Sequence, residues 1–242
     1  ELAAMHVDLG QMDQALTAGR RALAIDRKVH NQVHEANVLR VLGIVHQRQG
    51  EHETAGALLQ QALLIHRMRG NRREEAVCLA NLGALLVVTG DVSGASELWK
   101  RSLRMHRAVG NRRAECTILY NMALLAANRG DLLAALSGYQ SVLALAREIA
   151  GLALETAALG SLAVVYAGLG QVGLALEHFE LCLARARERG DRLHEASSLG
   201  SVGILHHGMG RLDAAASHYE QALTIHREVG NQRAQANLAY NV

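Results

Sequence analysis

The sequence predicts an all-α protein, a string of antiparallel helical hairpins that fills the chain. Three observations predict it. Glycines recur every 40 residues at Gly10, Gly50, Gly90, Gly130, Gly170 and Gly210, and a second series runs Gly70, Gly110, Gly190 and Gly230, with His30 and Ala150 in the missing places. Between them lie stretches of about 18 residues rich in Ala, Leu, Arg, Glu and Gln, all good helix formers. The 242 residues contain no proline, whereas average usage would give about 12. That absence argues against a sandwich or barrel with many Gly/Pro turns.

Each period predicts two helices, here termed A and B. In the first full period, A covers about Gln32–Gln49 and B about His52–Arg69. Glycine at the end of a stretch suits the left-handed position that closes a helix. The residue after it is often an N-cap type: Asn71, Asp91, Asn111, Asp131, Asp191 or Asn231. Asn71 and Glu74 have the spacing of a capping box. Two-residue corners make neighbours antiparallel, giving full A+B units at about 32–70, 72–110, 112–150, 152–190 and 192–230. Residues 1–242 form one array of about six repeats, incomplete at both ends.

Helix A carries Leu39, Leu42, Gly43 and His46, with counterparts such as Leu79, Leu82, Gly83, Leu86 and Leu159, Leu162, Ala163, Tyr166. Helix B places a small residue four before a large one: Ala55–Leu59, Ala95–Trp99, Ala135–Tyr139, Ala175–Phe179 and Ala215–Tyr219. Small residues admit a close helix approach, and the large residue fills the hole.

These positions resemble the tetratricopeptide repeat (TPR), with its W-x2-L-G-x2-Y…A-x3-F…P signature. Leu replaces the first aromatic, the closing Pro is missing, and the period is 40 rather than 34. Repeats of this length are similar to those of Leu-Gly-Asn-repeat polarity adaptors and to the TPR arms of bacterial regulators, kinases and STAND-type ATPases. The phrase at His226–Asn231, echoed at His66–Asn71 and His106–Asn111, leans toward the bacterial type. The resemblance implies a right-handed α-solenoid, with helices A lining a concave face and helices B a convex one.

Other classes find little support. Lys+Arg 25 against Asp+Glu 23 is too balanced for a dedicated nucleic-acid or membrane binder. No apolar run reaches the length of a membrane span. Cys78, Cys116 and Cys182 lack paired spacing and read as buried free thiols of a cytoplasmic protein. Thirteen histidines are mostly periodic: His6, His46 and His206 in the Tyr slot of helix A, and His66, His106 and His226 at one phase of helix B. No H-E-x-x-H, phosphate loop or nucleophile elbow occurs, so no metal, cofactor or catalytic residue is expected.

The candidate site is the helix A strip opposite the packing strip. In order it holds Asn37, Arg40, Ile44, Gln47 and Arg48; Val77, Ala80, Ala84, Val87 and Val88; Thr117, Tyr120, Leu124, Ala127 and Asn128; Ala157, Gly160, Val164, Ala167 and Gly168; and Ser197, Gly200, Ile204, His207 and Gly208. A solvated helix face is normally charged, yet only Arg40 and Arg48 are permanently so. One reading is an apolar groove for a peptide or amphipathic helix, with glycines admitting its backbone and Tyr120 and Tyr240 as aromatic anchors. The other is that neighbouring A helices close the strip against one another. At the corners, Arg72, Arg73, Arg112, Arg113, Arg192 and Arg233 stand beside Glu35, Glu75, Glu115, Glu155 and Glu195, which suggests a ladder of ion pairs.

The expected function is a non-enzymatic scaffold that binds a peptide or protein partner. The alternative is a regulatory arm of a larger signalling protein (an ATPase, kinase or transcription regulator) that docks on its own catalytic domain. The half-length helices at both ends lack polar capping faces. They suggest a segment of a longer array and end-to-end self-association.

Overall fold

The corners set the architecture. In the computed structural model, which describes residues 12–232, 234 and 235, helix α3 (His52–Met68) ends at Gly70 with φ +65°. The Gly70 N–H bonds the Arg67 carbonyl at 3.1 Å and the Asn71 N–H bonds the His66 carbonyl at 2.9 Å, a Schellman closure. Asn71 then opens α4 (Arg72–Val88): its Oδ1 accepts from the Glu74 N–H at 3.3 Å and its carbonyl from the Glu75 N–H at 2.9 Å. One residue thus ends one helix and begins the next. Because the Asn71 N–H is spent on His66, the capping box forms only in its forward half. Asn31, Asp91, Asn111, Asp131, Asp191 and Asn231 cap in the same way, each contributing about 1 kcal/mol. His30 and Ala150 hold the glycine conformation at φ 55° and 51°.

Among the described residues these corners separate eleven α-helices of 17 residues, with no strand. The others are α1 (Met12–Lys28), α2 (Gln32–Arg48), α5 (Val92–Ala108), α6 (Arg112–Asn128), α7 (Leu132–Glu148), α8 (Leu152–Gly168), α9 (Val172–Glu188), α10 (Arg192–Gly208) and α11 (Leu212–Glu228). Even-numbered helices are type A and odd-numbered ones type B. The expected bounds for α2 and α3 each run one residue long. His6, Gly10, Arg233 and Tyr240 lie outside the described residues.

The chain divides into two units, residues 1–118 and 119–242. In the first, α1 to α5 each pack on the next, and α2 also touches α4. In the second, α7 to α11 do the same, and α10 also touches α8. Small-against-large pairs hold the hairpins. A Cβ on Gly43 would lie 2.8 Å from Leu59, one on Gly83 2.6 Å from Trp99, and one on Gly203 2.6 Å from Tyr219. The Trp99 indole N–H is satisfied by the Ala80 carbonyl at 2.9 Å. Ala163 packs with Phe179, and Ala123 with Tyr139. Full burial of such side chains contributes roughly 1.5–3 kcal/mol each.

The corner ladder exists, but its principal arginines differ from those expected. Arg27, Arg67, Arg107, Arg147 and Arg187, at the ends of B helices, bond Glu35, Glu75, Glu115, Glu155 and Glu195 at 2.8–3.2 Å through Nε. Arg72, Arg112 and Arg192 add a second contact, while the Arg73 and Arg113 side chains form no ion pair among the described residues. The helix A residues are too near their own glutamate to span a corner; the last turn of helix B faces it directly. Glu75, Glu115, Glu155 and Glu195 are buried, Glu75 to 1% exposure, and Glu35 is half-buried. Burial alone would raise the pKa values of Glu115 and Glu195, but hydrogen bonds from their two arginines bring both below the usual range.

Candidate functional site

The outward face of each A helix differs between the two units. In the first it is partly shielded, polar on α2 and apolar on α4. Asn37, Arg40, Ile44 and Gln47 are half-buried and Arg48 is exposed. Ile44 leans on the Ala15–Val45 cluster. The Asn37 Oδ1, the Arg40 Nε and, on α4, the Asn81 Nδ2 are shielded from solvent without a hydrogen-bond partner. Such groups carry a desolvation cost. On α4, Val77, Ala80, Ala84 and Val87 are half-buried, and Val88 is exposed.

In the second unit the face is aliphatic and open. Leu124 on α6, Val164 on α8 and Ile204 on α10 are 40%, 59% and 56% exposed at one register. Asn128, Gly168, His207 and Gly208 are exposed beside them, with Ala127, Ala157 and Ala167 half-buried. Tyr120 is half-buried: its ring meets Tyr139 at 5.5 Å and its hydroxyl lies 3.1 Å from the Ser161 Oγ on α8. It therefore joins two A helices and presents only part of its ring. Thr117, on the first unit's part of α6, and Ser197 on α10 are exposed.

The glycines require a correction. Gly200 is buried and lines no open surface. A Cβ on Gly160 would lie 3.3 Å from the Cys182 Sγ, and one on Gly168 3.2 Å from Leu132. Gly160 and Gly168 face protein neighbours, so helix packing explains them better than backbone approach by a ligand. Asn81 was absent from the expected strip because only it, in that repeat, carries an amide one position beyond the predicted face.

Several histidines contact other side chains. His46 Nδ1 meets Glu51 at 2.8 Å, His206 stacks on His218 at 5.2 Å, and Tyr166 meets His178 at 4.9 Å. Burial lowers the pKa values of His66, His106, His206 and His226. Among the described residues no three His, Cys, Asp or Glu side chains gather as a metal site. Cys78, Cys116 and Cys182 are buried free thiols, and burial pushes Cys78 up to about 12. No described helix is long and apolar enough to cross a membrane.

A tetratricopeptide-repeat family model matches residues 1–68, 34–108, 114–188 and 154–228. No curated protein sequence matches the chain. Among solved structures, BtubC (BKLC) from P. vanneervenii is similar at 18% identity and TM-score 0.78, covering 91% of this chain and 92% of its own. A Rap protein complexed with Competence and Sporulation Factor is similar at 15% identity and TM-score 0.76, over 99% of this chain and 71% of its own. A STAND protein with a tetratricopeptide repeat sensor, from Pyrococcus horikoshii, is similar at 16% identity and TM-score 0.74, over 98% of this chain but 40% of its own. At these identities the likeness shows the fold: an all-α repeat solenoid. With hairpins, small–large packing pairs and family model in agreement, the chain belongs to the tetratricopeptide-repeat family.

Proposed function

We propose that this protein is a non-catalytic interaction module that binds a peptide or amphipathic helix of a partner protein on the outward face of its A helices. One observation carries the reading: Leu124, Val164 and Ile204 stand exposed at a single register on three A helices. Aligned exposed aliphatics mark an interaction surface more often than scattered ones do. An amphipathic segment supplies apolar anchors with helical spacing to such a row, and Asn128 and His207 at its margin offer polar contacts. The polar strip of α2, with Asn37, Arg40, Gln47 and Arg48, suits backbone and acidic groups of a ligand. The similar Rap structure is complexed with Competence and Sporulation Factor, which supports a ligand-binding role for such an array. The buried free thiols suit the reducing cytoplasm.

A second reading is that the array is the sensor arm of a larger signalling protein. Its likeness to 40% of a STAND protein supports this. The test for the leading reading places charge in the row. Val164→Glu with Ile204→Glu should abolish capture of partners in a pull-down while the helical circular-dichroism signal is kept, because both side chains are exposed. An unchanged set of captured proteins on a folded variant would overturn it.

A further inference from the structure

The repeat supplies its own reference for what a corner contains. In the α10–α11 hairpin, Arg192 opens α10 and bonds Glu228, the last residue of α11, as well as Glu195 at 2.6 Å. In the α2–α3 hairpin, Gln32 at the same place accepts from the Arg69 Nε at 3.0 Å. In the α4–α5 hairpin Arg72 holds the Arg192 position, but Ala108 holds that of Glu228. The carboxylate is missing. Among the described residues Arg72 pairs only with Glu75, at 3.7 Å, and Glu75 is already bonded by Arg67 at 3.2 Å and Arg101 at 3.1 Å.

A cleft of about 440 Å³ opens at that place, lined by Arg72, Arg101, Arg104, Met105, Ala108 and Val109. Arg104 is the sole basic residue of its phase; its counterparts are Ala24, Leu64, Ala144, Ala184 and Thr224. Its contact is Glu97 at 3.9 Å, with both side chains about two-thirds exposed (66% and 69%), a pair that holds little. Arg73, without an ion pair among the described residues, lies in a second hollow that shares Val109. Cationic charge thus exceeds its carboxylates around an apolar floor.

We propose that this cleft binds an acidic segment of a partner protein. A carboxylate of the segment takes the place against Arg72 that Glu228 takes against Arg192, within reach of Arg104, and a neighbouring apolar side chain rests on Met105, Ala108 and Val109. Guanidinium forks match carboxylates in two-point contact, and the sister hairpin shows that this corner accepts a glutamate. No residue is shared with the outward A-helix face, so the two sites succeed or fail independently.

The experiment uses a fluorescein-labelled peptide of alternating glutamate and leucine, read by anisotropy against the intact chain, with a lysine–leucine peptide as control. The wild type should bind the acidic peptide and not the basic one, with affinity falling as salt rises. Ala108→Glu supplies the missing carboxylate from within and should weaken binding about tenfold or more while raising the melting temperature; Arg104→Ala should also weaken it. Leu133→Glu, at a position of α7 that is 71% exposed and in neither site, should leave it unchanged. Equal affinity of wild type and Ala108→Glu would overturn the proposal. So would displacement by inorganic phosphate as effective as by unlabelled peptide, which would mark a phosphate site instead.

Discussion

Lowering the pH from about 7.5 to about 5.5 should destabilise the fold through three buried imidazoles. His66, His106 and His226 are 0%, 1% and 4% exposed at equivalent positions of α3, α5 and α11. Each Nδ1, and the Nε2 of His66, lacks a hydrogen-bond partner. Burial lowers each pKa; around His66, Glu74 opposes and Arg40 reinforces the shift, and around His106, Arg73 reinforces and Glu74 opposes it. The native rings therefore stay neutral while those of the unfolded chain take up protons near pH 6.5. Their contribution is complete above that pH and falls as pH drops from it toward the lowered native values. Each ring contributes a slope of up to about 1.4 kcal/mol per pH unit, so the three give up to about 4 kcal/mol per unit. Against a total stability of about 5–15 kcal/mol that is large. Urea unfolding followed by circular dichroism across this range measures it, with a His66→Leu, His106→Leu, His226→Leu variant as control. Equal pH slopes for the two proteins between about pH 6.5 and 5.5 would refute the reasoning.

Three further outcomes are expected. Ala150→Gly should raise the melting temperature by about 2–4 °C, because Ala150 holds φ 51°, a conformation costing an L-residue roughly 1–2 kcal/mol. Glu75→Gln should destabilise by about 3 kcal/mol in urea unfolding, since Arg67, Arg72 and Arg101 would converge on a neutral amide. Gly83→Ala should destabilise by about 1–2 kcal/mol, because the new Cβ would lie 2.6 Å from Trp99 and the overpacking outweighs the gain in helix propensity; Gly173→Ala, with nothing within 4 Å, should not.

The elements were legible because every helix ends on the same local chemistry. Gly70 and Asn71 act within six residues of each other's partners, so spacing alone located them. Even the two exceptions, His30 and Ala150, adopt the glycine conformation their phase demands. The exposed row at Leu124, Val164 and Ile204 was legible for a similar reason, since one helix face follows from the period. Tyr120 and Gly200 were not. Whether a side chain on that face meets solvent or the next hairpin depends on inter-helix distance, which small residues shorten and a period does not report. The ladder's arginines were missed although Arg27, Arg67, Arg107, Arg147 and Arg187 repeat at 40 residues, because pairing across a corner depends on where the last turn of helix B points.

The doubled role of the corner residue has a consequence for how such an array can vary in length. Asn71, Asn111 and Asp191 each terminate one helix and initiate the next, so there is no slack segment to absorb an inserted or deleted residue. A one-residue change at a corner breaks a Schellman closure, an N-cap and the Arg–Glu bridge over them together. Removal of a full 40-residue period leaves all three intact at the new junction. Length is therefore quantised: the array lengthens or shortens in whole periods, and each cut regenerates the joint it removes.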